Sequence, residues 1–144
     1  MILIQPQSTE DFEKYFELRW RILRKPWNQP KGSEQDLHEN SAYHIMAVEN
    51  NQVIGVARLQ LTDEQSSRAQ LRYMAVDEAS QGKGVGRHII EHMEQFARQQ
   101  AAETLFFHAR DNALGFYKKL GYQIDKKSYL LFDSIQHYEM SKHL

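Results

Sequence analysis

Gln70-Leu71-Arg72-Tyr73-Met74-Ala75-Val76 is followed by the acidic turn Asp77-Glu78 and then by Gln81-Gly82-Lys83-Gly84-Val85-Gly86-Arg87, an apolar run that passes into alternating glycines. Just beyond, Ile89, Ile90, Met93, Phe96, Ala97 and Ala101 gather on one side of a 3.6-residue period, which predicts a helix from about 84 to 100. A strand that turns through glycines into a helix belongs to a layered α/β chain. At such a junction the backbone amides can meet an anion, and the helix dipole adds to the attraction. Phosphate is the natural ligand. A Cβ would hold an oxyanion away from the amides, and Lys83 or Arg87 would add charge at the rim. The plain alternative is a glycine-rich turn with no ligand, although three glycines ahead of a helix cost stability.

Spacing narrows the phosphate ligand. The pattern Gly-x-x-x-x-Gly-Lys-Ser/Thr fails because Arg87-His88 follows Gly86, and Gly-x-Gly-x-x-Gly fails because position 87 is arginine. Both nucleotide hydrolysis and dinucleotide binding lose support.

Outward from this stretch, Ser8-Thr9-Glu10-Asp11 looks like a capping box, and the apolar spacing from Phe12 to Leu23 predicts a helix over residues 9 to 24. A loop follows at Pro26-Trp27-Asn28-Gln29-Pro30-Lys31-Gly32, then a polar segment with room for a short second helix. Residues 44–48 and 53–59 flank Asn50-Asn51 and predict a β-hairpin. Residues 104–109 read as a strand, Asn112 to Leu120 as a short helix closed by Gly121, and Tyr122-Gln123-Ile124 as a strand. The segment from Tyr129 through Met140 reads as one more strand after a bend. The sum is an α/β (α+β) chain with a mixed central β-sheet flanked by helices, and a single domain over residues 1–144 is expected.

The chain carries 18 Lys plus Arg against 19 Asp plus Glu, a formal charge of −1, so no electrostatic argument favours nucleic acid or an anionic membrane as partner. There is no cysteine, which removes disulfides, thiolate nucleophiles and Cys-based metal sites, and a cytoplasmic setting is expected. Met1-Ile2-Leu3-Ile4 runs straight into Gln5-Pro6-Gln7, too short for the apolar core of a signal, and no apolar run of about 18 residues occurs. Neither export nor a bilayer span is expected.

Gln81, Gly84 and Gly86 together spell Gln-x-x-Gly-x-Gly, and here the chain resembles the GNAT-type N-acetyltransferases, which cradle the pyrophosphate of acetyl-CoA on that loop. Asn112-Ala113-Leu114-Gly115-Phe116-Tyr117-Lys118-Lys119-Leu120-Gly121-Tyr122 is similar to the Asn-Ala-x-x-Phe-Tyr-x-x-x-Gly-Phe segment of the same superfamily. Weaker matches lie at Leu18-Arg19 and at Ile135-Gln136-His137-Tyr138-Glu139-Met140. They resemble the ElaA-like branch, although Gln136 stands where that branch has proline.

The resemblance implies a GNAT-like acyl-CoA N-acyltransferase fold, with acetyl-CoA (coenzyme A) as cosubstrate and no metal. It places the pyrophosphate on Gln81, Gly82, Lys83, Gly84, Val85, Gly86 and Arg87, and the pantetheine arm on Met74, Ala75, Val76 and Asn112. Tyr117 would stand near the thioester sulfur. A phenol of ordinary pKa about 10 is protonated at neutral pH and can give its proton to a leaving thiolate, although a core tyrosine is the simpler reading. The amine must also lose a proton. Where the family often has a glutamate on the strand before the loop, this chain has Gln70 and Arg72, so the base stays open among His137, His108 and Glu34. The resemblance puts the acceptor pocket around Arg19, Trp20, Trp27 and Glu34, and packing under a loop would explain those residues equally well.

His88-Ile89-Ile90-Glu91-His92 spells the inverted zinc-protease pattern. It falls on the helix side opposite the apolar stripe, with no third ligand in view, so no metal site is expected. The expected function is acetyl transfer to a primary amine of a small molecule or peptide. The alternative is a non-catalytic acyl-CoA-binding sensor or interaction module on the same fold. A homodimer is compatible with the resemblance.

Overall fold

Helix α1 (Thr9–Leu23) starts where the sequence places it, because Ser8 Oγ accepts the Asp11 N–H at 3.0 Å while Asp11 returns the bond to the Ser8 N–H. The computed structural model describes residues 1–62 and 67–144. Around α1 run β1 (Ile2–Ile4), β2 (Tyr43–Glu49), β3 (Gln52–Leu61), β4 (Arg68–Val76), α2 (Val85–Gln99), β5 (Thr104–Arg110), α3 (Leu114–Lys119), β6 (Gln123–Leu131) and β7 (Ile135–His143). The strands form one seven-stranded sheet in the order β1-β2-β3-β4-β5-β7-β6. The β4–β5 pair is parallel and the others are antiparallel.

Alternation along the strands assigns the two helical layers. Ile45 and Ala47 of β2 pack with Ile89, Ile90, Met93 and Ala97 of α2, while Met46 between them packs with Tyr15 and Leu18 of α1. At Gly55 of β3 an added Cβ would meet Ile89 Cδ1 and Val85 Cγ1 at 2.8 Å, so only glycine lets the first turns of α2 lie this close to the sheet. The β2–β3 hairpin turns at Asn50 and Asn51, both left-handed at φ 51° and 62°, the pair of conformations that a two-residue hairpin loop needs.

Three sequence expectations need correction. The run 123–131 is a single strand, and a left-handed turn at Phe132 and Asp133 returns it as β7; the expected bend inside one strand is this hairpin. Residues 25–42 hold only the 3₁₀ turns Lys25–Trp27 and Glu39–Ser41, because Pro26, Pro30 and Gly32 interrupt any longer helix. The short helix begins as a 3₁₀ turn over Asp111–Ala113 before α3 proper. β1 has no counterpart in the sequence reading.

Two features of β4 shape the site. Its parallel pairing with β5 ends at Gln70 opposite Phe106, and β5 turns its other edge to β7 along its whole length. Beyond Gln70 the strands diverge. Next to this opening the β3–β4 register shifts between Val56 and Arg58, where Tyr73 takes a left-handed φ of 55°, a β-bulge that bends β4 away.

A buried ion cluster holds the long loop after α1 against the bulge. Arg58, fully buried, donates to Asp36 Oδ1 at 2.7 Å, to Asp36 Oδ2 at 3.0 Å and to Glu39 Oε2 at 3.0 Å. Burial alone would raise the Asp36 pKa, but the Arg58 hydrogen bonds, the His38 N–H and the charges of Arg58 and Arg72 outweigh it and hold the carboxyl well below its ordinary range. A carboxyl depressed in this way stabilises the fold at pH values above its unfolded pKa, and the stability is lost as pH falls below about 4. Arg58→Ala takes the shared guanidinium from two carboxylates, leaving Glu39 only Arg19 and Asp36 only the more distant Arg72 as cationic partners, and is expected to cost about 3 kcal/mol in urea unfolding. The same variant should lose part of the wild-type acid sensitivity.

Candidate active site

The diverging ends of β4 and β5 open a cavity of about 550 Å³. One stretch of its wall is the turn ahead of α2. The N–H groups of Gly82 through Arg87 meet no acceptor among the described residues, as the head of a helix requires, and Gly84, the N-cap, is left-handed at φ 85°. Gln81, Gly82, Gly84, Val85, Gly86 and Arg87 line the cavity, whereas Lys83 does not. The Gln81 side chain donates to the Val76 carbonyl at 3.0 Å, so it ties the turn to the end of β4. Arg87 is exposed and bonded to Glu91 at 2.9 Å.

Met74, Ala75 and Val76 lie on the same wall, on the stretch of β4 that has lost its β5 partner. Asn112 and Tyr117 face them from the segment after β5. Tyr117 is half-buried, its ring 4.3 Å from that of Phe107 and 5.0 Å from that of Phe116. Its hydroxyl has no hydrogen-bond partner among the described residues. Burial pushes its pKa up to about 12, against the pull of the Arg110 charge, so it is a protonated phenol at any working pH. These residues fit the cosubstrate that the resemblance implies: free amides for an anion, a left-handed glycine beside them, and an unpaired strand edge for an amide-bearing arm.

His108 and His137 also line the cavity, with Tyr129 between them, its ring 5.3 Å from His108 and stacked at 4.5 Å on His137. His137 Nδ1 donates to the Ile135 carbonyl at 3.0 Å, which leaves the lone pair of the neutral ring on Nε2. Burial lowers its pKa below 6.5 and the nearby Arg110 adds to the fall, although the Ile135 carbonyl acts the other way. The His108 pKa is lowered chiefly by burial, and its Nδ1 is enclosed without a partner among the described residues.

The structure gives the remaining sequence candidates other work. Glu34 lies off the cavity wall, 3% exposed, with its carboxylate taken by the Gly32 N–H and the Gln35 side-chain amide, each at 2.8 Å. Arg19, fully buried, donates to Tyr15 Oη, to the Glu34 carbonyl and to Glu39, and so knits α1 to the loop. Trp20 donates to the Gln29 carbonyl at 2.9 Å and closes the proline-rich loop. Trp27 stacks on Phe132, and the Arg110 guanidinium sits 4.6 Å from its ring. His92, read in the sequence as part of a solvated helix face, is half-buried with Nε2 bonded to Tyr43 Oη at 2.8 Å.

Sequence reasoning missed Arg24, Tyr73, Arg110 and Tyr129, all on the cavity wall. Asp36 brings a carboxylate to β4, 3.3 Å from Tyr73 Oη and 3.5 Å from Arg72, on the strand where Gln70 and Arg72 supply none. No local pattern marks that carboxylate, because it arrives from a loop far away in sequence.

Known proteins share this fold. The N-acetyltransferase YjcF of Bacillus subtilis, itself uncharacterized, is 27% identical over 136 residues, 94% of this chain and 95% of that one. The crystal structure of Escherichia coli ElaA superposes with a TM-score of 0.81 at 17% identity, over 99% of this chain and 97% of that one. A GNAT family acetyltransferase of Elizabethkingia anophelis with acetyl-CoA bound superposes with a TM-score of 0.79 at 15% identity, over 99% and 97% of the two chains. Among the described residues no helix is long and apolar enough to cross a membrane. The family model for GNAT acetyltransferases matches residues 12–122, and with the split β4–β5 pair and the glycine turn ahead of α2 it shows that this chain belongs to the acetyltransferase (GNAT) family.

Proposed function

We propose that the protein moves the acetyl group of acetyl-CoA to a primary amine by direct attack within a ternary complex. The observation that carries this reading is one cavity lined by helix-head amides, a strand edge and a protonated tyrosine whose hydroxyl, like those amides, has no hydrogen-bond partner among the described residues. The thioester supplies an activated acyl carbon. Gly82 through Arg87 would hold the pyrophosphate by backbone N–H groups, and Met74, Ala75, Val76 and Asn112 would hold the pantetheine arm. Tyr117 gives its proton to the departing thiolate, and His137 Nε2 takes the proton that the amine must shed. Orientation of the two partners supplies much of the acceleration. No enzyme nucleophile is called for.

The experiment is release of free CoA thiol from acetyl-CoA with a panel of primary amines, alongside calorimetry of CoA binding. Amine-dependent thiol release supports the reading. Tight CoA binding with no turnover on any amine favours the sensor module instead.

His137→Gln separates the base from its neighbours. The acidic limb of the wild-type profile should lie below that of an ordinary imidazole, because burial lowers the His137 pKa. The variant is expected to lose about a hundredfold in kcat/KM at pH 7. The deficit should shrink above pH 10, where the amine arrives already deprotonated. A deficit independent of pH would remove His137 from that role and leave His108.

A further inference from the structure

Arg24 and Arg110 stand half-buried on the cavity wall without a counter-ion among the described residues, and we propose that they hold an anionic group of the acceptor, so that the amine acetylated here belongs to a small molecule that also carries a carboxylate or a phosphate. The inference rests on the acetyl-transfer reading above and narrows its substrate.

Other arginines of the chain show what satisfaction looks like. Arg19, Arg21, Arg58, Arg72 and Arg87 each meet a carboxylate within 3.5 Å. Among the described residues Arg24 has only neutral hydrogen-bond partners, the Ser33 carbonyl at 3.1 Å and the Leu23 carbonyl at 3.0 Å, and none at its Nη2. Arg110 makes no hydrogen bond or ion pair with any described residue and rests its guanidinium on Trp27 at 4.6 Å. Arg24 likewise lies 5.6 Å from the Phe132 ring, and Trp27 and Phe132 stack on each other. With rings against their faces, the guanidinium groups keep their N–H edges for a ligand, the arrangement that suits planar or tetrahedral oxyanions.

Burial disfavours both charges, and like charge adds to it: Arg72 and Arg19 act on Arg24, and Arg24 acts on Arg110. Uncompensated cations in a partly desolvated cavity are costly, and an anion between them would relieve that cost. The location fits an acceptor. Arg110 is the register partner of His137 across β5 and β7, and its charge acts on the Tyr117 hydroxyl, so an anion held there would set the rest of a small molecule beside both groups. The same two charges disfavour polycationic amines.

Paired acceptors test this with one change each. β-Alanine against propylamine reads a carboxylate, and O-phosphoethanolamine against ethanolamine reads a phosphate. In at least one pair the anionic member should show kcat/KM higher by about tenfold or more, the scale of one charge-assisted hydrogen bond. In Arg110→Gln and in Arg24→Gln that ratio should collapse towards one, through KM more than kcat, while Arg110→Lys restores part of it. A ratio is insensitive to a general loss of activity. Equal rates within both pairs, or a ratio that survives both substitutions, would overturn the anion site and leave acetyl transfer standing. Weaker CoA binding in Arg110→Gln with the ratio intact would assign the arginine to the cosubstrate and overturn it too. Absence of thiol release with every amine would sink the acetyl-transfer reading itself, and this inference with it.

Discussion

Tyr117→Phe is expected to lower kcat by about a hundredfold or more while CoA affinity stays within about twofold. The substitution is clean for a structural reason. The ring keeps its contacts with Phe107 and Phe116, and the hydroxyl that disappears has no hydrogen-bond partner among the described residues to leave stranded. Thermal stability should therefore hold, because the cost of a lost hydroxyl lies mainly in orphaned partners. Burial that lifts the phenol to about 12 keeps it protonated, and the positive charge of Arg110 works against the rise. The group that needs this proton is the thiolate that forms as the thioester breaks. The deficit should accordingly shrink with aryl thioester donors, whose thiolates leave without help. An unchanged kcat, or a loss that is the same for alkyl and aryl thioesters, would return Tyr117 to the status of a packing residue.

What could be read in the sequence was local. Glycines at alternate positions ahead of a helical period mark the 81–87 turn, and the Asn50-Asn51 pair marks a hairpin, because each of these signals is a backbone requirement written in a few adjacent residues. The sequence marks only the start of β6, which is the outermost strand and mostly exposed, so that Asp125, Lys126 and Lys127 disguise it as loop. β1 is three residues long and offers no period. The bulge at Tyr73 has no sequence mark, since a left-handed tyrosine is imposed by the neighbouring strands and not by its own preference.

The site divides along the same line. Residues of the turn and of the 112–117 segment sit in contiguous stretches and could be named in advance. Arg24, Arg110 and Tyr129 come from separate stretches of the chain, and what sets the two arginines apart is half-burial without an anionic partner among the described residues, which no one-dimensional pattern records. Glu34 and Arg19 misled for the converse reason. A charged residue in a polar loop reads as available for substrate until the fold shows its hydrogen bonds already spent on Gly32, Gln35, Tyr15 and Glu39.

Gly84→Ile should weaken CoA binding by about a hundredfold or more in calorimetry while the protein stays folded. At φ 85° an isoleucine is strained, and relief means rotating the turn away from the left-handed well, which re-aims the amides of Gly84 and Val85. Each N–H to phosphate bond is charge-assisted and contributes about 1.5–3 kcal/mol, so misdirecting two of them accounts for the expected loss. Packing does not obstruct the change, since an added Cβ meets only His88 Cδ2, at an ordinary 3.8 Å. Strain by itself can be controlled. Gly32 has φ 100°, nothing within 4 Å of its Cβ position and no place on the cavity wall, so Gly32→Ile carries the same kind of backbone penalty. It should lower the melting temperature and leave CoA affinity as it was. If Gly84→Ile binds CoA normally, the pyrophosphate lies somewhere other than the head of α2.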